Sequence, residues 1–368
     1  MKTSALIENA GLLGEGRVLD FVPRKNPSPD PAAIRVDVRA AMDDAGDRAA
    51  FRAGLLATPA VSSPKFFYDP QGSALFSAIC ELDEYYPTRT EATIFETHRD
   101  DIAAALPSGS QWIDLGCGDG LKARGWLEPA QVRRYVGVDI AEPWLRSALV
   151  ALTATLAKDR AGRVQRPVDV LGIVADFTRP FDLHDVLAEQ DGMPPVFFYP
   201  GSSIGNFVRD DARAFLASVR DHIERHPTGA GGKLLIGIDL VKDRATLRAA
   251  YDDAIGVTAA FNRNVLRVAN RLLDADFDPA AFTHRAVYNE DFGRIEMQLV
   301  SQRAQTVRIG DAVRTFERDE AIVTEYSHKY TVEGFAALLE SAGFAGGDRL
   351  RCWQDERGWF GVFVAEPA

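Results

Sequence analysis

The sequence predicts an α/β fold, a Rossmann-like, doubly wound and mainly parallel sheet closed by a C-terminal antiparallel strand pair and joined to a second, α+β lobe. Three observations predict it. Five short β-rich runs, Gln111–Leu115, Arg134–Val138, Val168–Val174, Val196–Tyr199 and Lys233–Ile238, alternate with stretches whose apolar residues recur at helical spacing, and strands alternating with helices build parallel sheets. The first run ends in a glycine-rich turn, Asp114-Leu115-Gly116-Cys117-Gly118-Asp119-Gly120. Between Val241 and about Tyr326 the pattern changes to a long helical stretch, Ala254–Leu273, and then to β-like runs, Phe282–Tyr288, Arg294–Val300 and Thr306–Ile309, which reads as an inserted lobe.

Residues 1–30 mix Gly and Pro with few periodic apolar positions and read as an N-terminal extension. From Ala32 to about Leu56 the spacing of Val36, Val38, Ala41, Met42, Phe51 and Leu55 predicts helical segments. Phe66-Phe67-Tyr68-Asp69 and Tyr85-Tyr86-Pro87 are aromatic loop clusters around a short helical stretch. The chain closes with a helix over Val332–Ser341 and two strands, Gly346–Trp353 and Trp359–Ala365, linked like a hairpin by Asp355-Glu356-Arg357-Gly358. The expected boundaries are 241–327 for the second lobe and 87–240 with 328–368 for the sheet domain.

The chain has 368 residues, which suits one large α/β unit or two lobes sharing a core. No stretch approaches 18 uncharged apolar residues, so no membrane span is expected. The N-terminus lacks the basic-then-apolar order of a secretory signal, which predicts a cytoplasmic protein, expected to act as a monomer. Three scattered cysteines form neither a disulfide framework nor a zinc spacing. A net charge of −11 repels a long polyanion on average, so a small molecule is favoured over nucleic acid.

The glycines of the Asp114–Gly120 turn permit a sharp bend and close approach of the backbone to a ligand. The second strand ends in Asp139, an acid able to accept hydrogen bonds from both hydroxyls of a ribose. The third ends in Val174-Ala175-Asp176-Phe177, an acid for an adenine amine and a ring to pack on the base. Taken singly, each is ordinary α/β punctuation; in order on three successive strands they predict a nucleoside-type cofactor. With no Walker-type loop for phosphate, the trio favours S-adenosylmethionine over a dinucleotide, held by Gly116, Gly118, Asp139, Asp176 and Phe177. Lys122, one turn after the loop, is within reach of a carboxylate such as that of the cofactor's methionine part, although a lysine there is ordinarily solvated.

The acceptor is expected beside the fourth strand, at Phe198-Tyr199-Pro200-Gly201-Ser202-Ser203-Ile204-Gly205-Asn206-Phe207. This run lacks the Asp/Asn-Pro-Pro-aromatic pattern used on DNA bases, and Asn206 offers a donor and an acceptor to a carboxylate or amine. A second polar and aromatic cluster begins at Tyr251 and continues to Asn264. In Val323-Thr324-Glu325-Tyr326-Ser327-His328-Lys329-Tyr330 the alternation of a strand puts Glu325 and Ser327 on one face. That pair suits both nitrogens of an imidazole, although polar strand faces commonly alternate this way without a ligand. His222 and His226, at helical spacing, depart from the zinc-protease pattern and read as a solvated helix end; no metal is expected.

Phe67-Tyr68-Asp69, Glu84-Tyr85-Tyr86-Pro87-Thr88-Arg89, Gly201-Ser202-Ser203-Ile204-Gly205-Asn206, Gly256 to Asn264, Arg294-Ile295-Glu296-Met297 and Thr324-Glu325-Tyr326-Ser327 together resemble the histidine-specific Nα-methyltransferases of ergothioneine biosynthesis. The resemblance runs from about residue 60 to the end, with its motifs in order. It implies a class I methyltransferase sheet, a second lobe in which 31–86 joins 241–327, and three successive methyl transfers from S-adenosylmethionine to the α-amino group of L-histidine, giving hercynine. It also implies that Tyr85, Asn206, Tyr251, Glu325 and Ser327 contact histidine, that Tyr68, Gly201 and Met297 wall the pocket, and that Gly116, Lys122, Asp139, Asp176 and Phe177 meet the cofactor. The loop departs from the Ser/Thr-rich version of well-known members, and residues 1–30 have no counterpart. A related branch methylates a prenylated tryptophan; Glu325 with Ser327 favours an imidazole, since an indole has one ring donor and no ring acceptor. The rival readings are a nicotinamide oxidoreductase and a non-catalytic nucleotide-binding module.

Overall fold

The computed structural model describes residues 34–39, 45–159, 167–227 and 231–368; the extension expected over residues 1–30 lies outside them. In chain order the strands are β1 (Arg35–Val38), β2 (Ala60–Val61), β3 (Gln111–Leu115), β4 (Arg134–Asp139), β5 (Asp169–Val174), β6 (Pro195–Tyr199), β7 (Lys233–Asp239), β8 (Phe282–Asn289), β9 (Arg294–Ser301), β10 (Gln305–Ile309), β11 (Ala312–Phe316), β12 (Ala321–His328), β13 (Arg351–Gln354) and β14 (Phe360–Ala365).

Eight of them form one sheet in the order β1-β5-β4-β3-β6-β7-β14-β13. The first six run parallel, and β14 enters antiparallel between β7 and β13. The central strands β3 and β6 are buried at every residue, which is why they read as near-continuous apolar runs rather than alternating ones. From β3 the chain winds outward through β4 to β5, then returns to the other side of β3 with β6 and β7. The order therefore reverses between β3 and β6, and the crevice beyond their carboxyl ends is the place where such sheets bind ligands.

One element departs from the sequence expectation at the edge. Arg35–Val38 is not helical but pairs in parallel with β5, Val36 opposite Gly172 and Val38 opposite Val174. Its Arg-Val-Asp-Val order has the period of a strand; helical spacing prevails only from Ala45, where the helix Ala45–Leu56 begins.

The second sheet has the order β2-β12-β9-β8, with β2 parallel to β12 and the rest antiparallel, and β10 and β11 form a separate hairpin. β11 escaped sequence reading because Val313 faces outward, 64 % exposed, and so gives no apolar run. The core of this lobe gathers Phe51, Phe66, Phe67, Phe261, Phe282 and Phe316, so the segment before β3 and the insertion after β7 bury their apolar faces in one cluster. The long helix Val257–Leu273 starts three residues later than its apolar periodicity implies. Asp253 sets that start by accepting the backbone N–H groups of Val257 at 2.9 Å and Thr258 at 2.7 Å.

β12 joins the two sheets. Just past its end, Tyr330 donates its N–H to the Asp239 carbonyl at 3.1 Å, and Val241 donates to the Tyr330 carbonyl at 2.9 Å. The 3₁₀ turn Ser203–Asn206 packs on β12, and a Cβ on Gly205 would stand 2.8 Å from the His328 carbonyl oxygen. Only a glycine allows that approach.

The histidine pair also differs from expectation. His222 and His226 are 2 % and 3 % exposed rather than solvated. His222 Nε2 accepts the Leu183 N–H at 3.0 Å, and its ring stacks on Phe181 with centroids 5.0 Å apart. The helix Arg209–Glu224 buries His222 on the same face as Phe215 and Val219, and His226, just beyond the helix, stands 3.2 Å from the Gln111 side-chain nitrogen and 3.3 Å from the Leu187 carbonyl.

Candidate active site

The crevice is lined on one side by backbone and on the other by side chains. On the backbone side, Gly116, Gly118 and Gly120 have φ of 70°, 55° and 70°, a left-handed run that carries little penalty only for glycine. Gly116 N–H donates to the Val138 carbonyl at 2.8 Å, which lays the turn across the end of β4. Asp139 fixes it further by accepting the N–H of Gly118 at 3.1 Å through Oδ2 and that of Ala141 at 2.9 Å through Oδ1. Burial raises the Asp139 carboxyl above its usual range against the pull of these N–H groups. A Cβ on Gly118 would meet nothing within 4 Å, and one on Gly116 would meet only the Phe177 ring, at 3.3 Å. Open space beside a fixed glycine turn, with Asp139 and Phe177 at its edges, fits a nucleoside-type cofactor. Beneath the turn, Tyr135 donates to Asp114 at 2.8 Å, and burial pushes that carboxyl up to about 7.

Asp176 lies two residues past the end of β5, and its carboxylate is already engaged. It pairs with Lys65 of the second lobe at 2.9 Å and accepts from Thr178. These donors offset burial and hold Asp176 below its ordinary value. Lys122 is half-solvated, as a lysine on such a turn ordinarily is, yet its ammonium is anchored on Glu91 at 2.6 Å. Burial lowers the Lys122 ammonium, and Glu91 more than offsets it, so the net shift is upward. Glu91, 1 % exposed, also accepts the Gly201 N–H at 2.7 Å. One carboxylate thus ties Lys122, after the glycine turn, to Gly201, after β6.

On the side-chain side, Tyr68, Tyr85, Tyr251 and Phe261 form an aromatic wall, with Tyr85 and Tyr251 edge to face at 6.3 Å and Tyr68 and Phe261 at 5.9 Å. β12 brings Glu325 and Ser327 into it. Met297 stands opposite Glu325 across the β9–β12 pair and is 2 % exposed. The Tyr251 and Ser327 hydroxyl oxygens are 2.7 Å apart. Burial raises the Tyr68 hydroxyl, and the next contributions come from Glu325, Cys80 and Asp139, so one tyrosine feels both sides of the crevice. Burial also pushes the Glu325 carboxyl up to about 7, against Lys329. Among the described residues, the Glu325 carboxylate, the Tyr68 and Tyr85 hydroxyls and the Asn206 amide have no hydrogen-bond partner.

Sequence reasoning missed Glu91, Tyr86, Asp239, Lys242 and Lys329. Asp239 ends β7 as Asp139 ends β4, so the rule of an acid at a strand end would have found it. It is 1 % exposed and takes the Tyr86 hydroxyl at 2.8 Å, Lys329 at 2.8 Å and Lys242. The attraction of the two ammoniums outweighs burial and holds Asp239 below its ordinary value. Asp182, His184 and His222 bring one potential metal-ligand atom each within 4.8 Å of one another. Of these, His222 is engaged within the protein: its Nε2 accepts a backbone N–H, its Nδ1 faces the Ser218 carbonyl at 2.7 Å, and its ring stacks on His184 at 4.3 Å.

The strand order, the glycine turn at its switch point and the acid-ended second strand define a class I S-adenosylmethionine-dependent methyltransferase. A family model described as histidine-specific methyltransferase, SAM-dependent, matches residues 47–367, and the chain belongs to that family. It is 40 % identical over 320 residues to the histidine N-alpha-methyltransferase of Mycolicibacterium smegmatis, covering 85 % of this chain and 92 % of that one. To the protein of the same description from Mycobacterium tuberculosis it is 38 % identical over 333 residues, covering 88 % and 96 %. An L-tryptophan methyltransferase of Psilocybe serbica is 27 % identical over 351 residues, covering 88 % and 94 %.

Proposed function

We propose that the protein transfers three methyl groups in succession from S-adenosylmethionine to the α-amino group of L-histidine, giving hercynine, a step of ergothioneine biosynthesis. The observation that carries the substrate is Glu325: a carboxylate with no partner among the described residues, beside Ser327 and inside an aromatic wall. An imidazole answers that pair with one ring N–H and one ring nitrogen lone pair. An indole has no lone pair for Ser327.

The cofactor supplies a methyl group on a positively charged sulfur. The chain's part is to hold an unprotonated amine in line with that methyl and to keep water away. In this proposal Tyr85 and Asn206 hold the amine and carboxylate of histidine, Tyr251 orients the amine, and Glu325 with Ser327 fix the imidazole. Tyr68, Gly201 and Met297 shape the wall. Gly116, Gly118, Asp139, Asp176, Phe177 and Lys122 serve the cofactor; for Asp176 this means sharing its carboxylate with Lys65. The segment 31–86 with 241–327 is then the substrate lobe, apart from β1, which lies in the large sheet. Incubation of the purified protein with histidine and S-adenosylmethionine, followed by mass spectrometry, is expected to show additions of one, two and three methyl groups. Unmodified histidine alongside a methylated tryptophan would transfer the chain to the tryptophan branch.

A further inference from the structure

Behind the ring-binding pair lies a buried ammonium that the proposed chemistry does not use. Lys329 has a fully buried side chain and stands 2.8 Å from Asp239 Oδ2, 2.9 Å from Tyr251 Oη and 2.7 Å from Ser327 Oγ. An ammonium has three protons and no lone pair. Its three neighbours are all oxygens, so all three accept, and no proton of Lys329 remains for a ligand.

This constrains the hydroxyls. Tyr251 and Ser327 each carry one proton, and each already accepts from Lys329. They share one hydrogen bond, at 2.7 Å, which uses one of the two protons. One O–H is therefore left over to donate into the crevice. A serine oxygen accommodates two accepted bonds and one donated bond. The amine that Tyr251 orients keeps its lone pair for the methyl carbon and offers Tyr251 only N–H, so Tyr251 accepts from it and from Lys329 and donates its own proton to Ser327, which then donates outward. Glu325, two residues along the same strand face, is placed to accept the N–H of the same ring.

We infer that Lys329 is a positioning residue for substrate specificity: by donating to both Tyr251 and Ser327 while Tyr251 donates to Ser327, it fills the acceptor sites of Ser327 and turns that hydroxyl into an obligate donor for the unprotonated nitrogen of the substrate's ring. Without it, the Ser327 proton can turn inward and its oxygen can accept from the ligand, so a ring lacking an acceptor nitrogen is no longer refused. Asp239 holds Lys329 in place from the end of β7, and the same carboxylate engages Tyr86 and Lys242. Replacing Lys329 leaves the Asp239–Lys242 pair intact and electrically balanced.

The inference rests on the proposed placement of the imidazole at Glu325 and Ser327, and the experiment separates the two. Calorimetric titration of the full chain, saturated with S-adenosylhomocysteine, compares histidine with the two pyrrolylalanines, which keep a ring N–H and carry CH in place of the acceptor nitrogen. The measured quantity is the ratio of their affinities. Lys329→Met is expected to lower the wild-type ratio about tenfold, the worth of one directed hydrogen bond, with little change in affinity for S-adenosylhomocysteine. Lys329→Gln, which keeps two N–H donors, is expected to lose less and serves as the second variant if the Met substitution impairs folding. Ser327→Ala is the control and is expected to lower the ratio as far as Lys329→Met. A reduced ratio in Ser327→Ala with an unchanged one in the folded Lys329 variants overturns the role of Lys329 and leaves the imidazole placement standing. An unchanged ratio in Ser327→Ala overturns both.

Discussion

The two sides of the crevice are made of different material. The proposed cofactor side is a backbone construction in which Gly116 to Gly120, Asp139 and the N–H groups they share lie within one stretch of chain from β3 to just past the end of β4. The proposed substrate side is a side-chain construction: Tyr68, Tyr85, Tyr251, Glu325 and Ser327 come from segments separated by as many as 259 positions in the numbering and meet only when the second lobe closes its core. Local backbone geometry is written in short motifs. Side-chain geometry assembled across such distances is written in burial and pairing, which no local pattern contains. The joint between the two sides is Asp239, on the large sheet, with Lys329 and Tyr86 brought to it from the other elements.

That division makes the joint the place where a substitution should do most harm. Asp239→Ala strands Lys242 and Lys329, both nearly or wholly buried, without their shared carboxylate. Breaking a buried pair by removing one partner costs about 3–5 kcal/mol, to be read from the unfolding midpoint and slope in urea. A loss under about 1 kcal/mol would mean that the ionic joint carries nothing and that packing alone holds the lobes. Glu325→Ala ranks next. It should weaken histidine by roughly 10- to 100-fold, the range for a hydrogen bond to a charged group, with S-adenosylmethionine affinity nearly unchanged by calorimetry. Equal losses for both ligands would erase the distinction between the sides.

The same division explains what was legible. The five parallel strands, the glycine turn, Asp139 and the helix Val332–Ser341 are local patterns and stand where the sequence put them. Glu325 and Ser327 could be placed on one strand face by alternation alone, but only the β9–β12 pairing and the approach of Gly205 to His328 bring that face to the crevice. Lys329 looks like any lysine after a strand; its burial follows from Asp239, 90 positions earlier in the numbering. His222 and His226 misread for the converse reason. Histidine is polar on any scale, and only the Phe181 ring and the Leu183 N–H for His222, and Gln111 for His226, show that these rings are buried.

On the cofactor side a smaller effect is expected. Gly118→Ala meets no atom within 4 Å, so its whole cost is the left-handed backbone at φ 55°, about 1–2 kcal/mol. The loss should appear in thermal melting and in S-adenosylmethionine affinity, with histidine binding following only through the cofactor. A larger loss in histidine affinity than in cofactor affinity would place the turn on the wrong side of the comparison.

The finest test concerns the electrostatic character of the substrate side. Burial raises the Glu325 carboxyl to about 7, against Lys329, from an ordinary 4.5. Below about pH 4.5 both the folded and unfolded chains carry this proton, and its contribution to stability is fully present. Between 4.5 and 7 the unfolded chain gives the proton up while the folded chain keeps it, so stability falls as pH rises, and above 7 the loss is complete. Asp114 is also pushed up to about 7, so the total stability curve mixes both groups. Subtracting the curve of Glu325→Gln isolates one of them: the unfolding free energy of the wild type minus that of the variant should decline across this window and level off on either side. A flat difference would show that water reaches Glu325 as freely as a surface carboxylate, and specificity would then have to come from the shape of the tyrosine wall rather than from a desolvated charge.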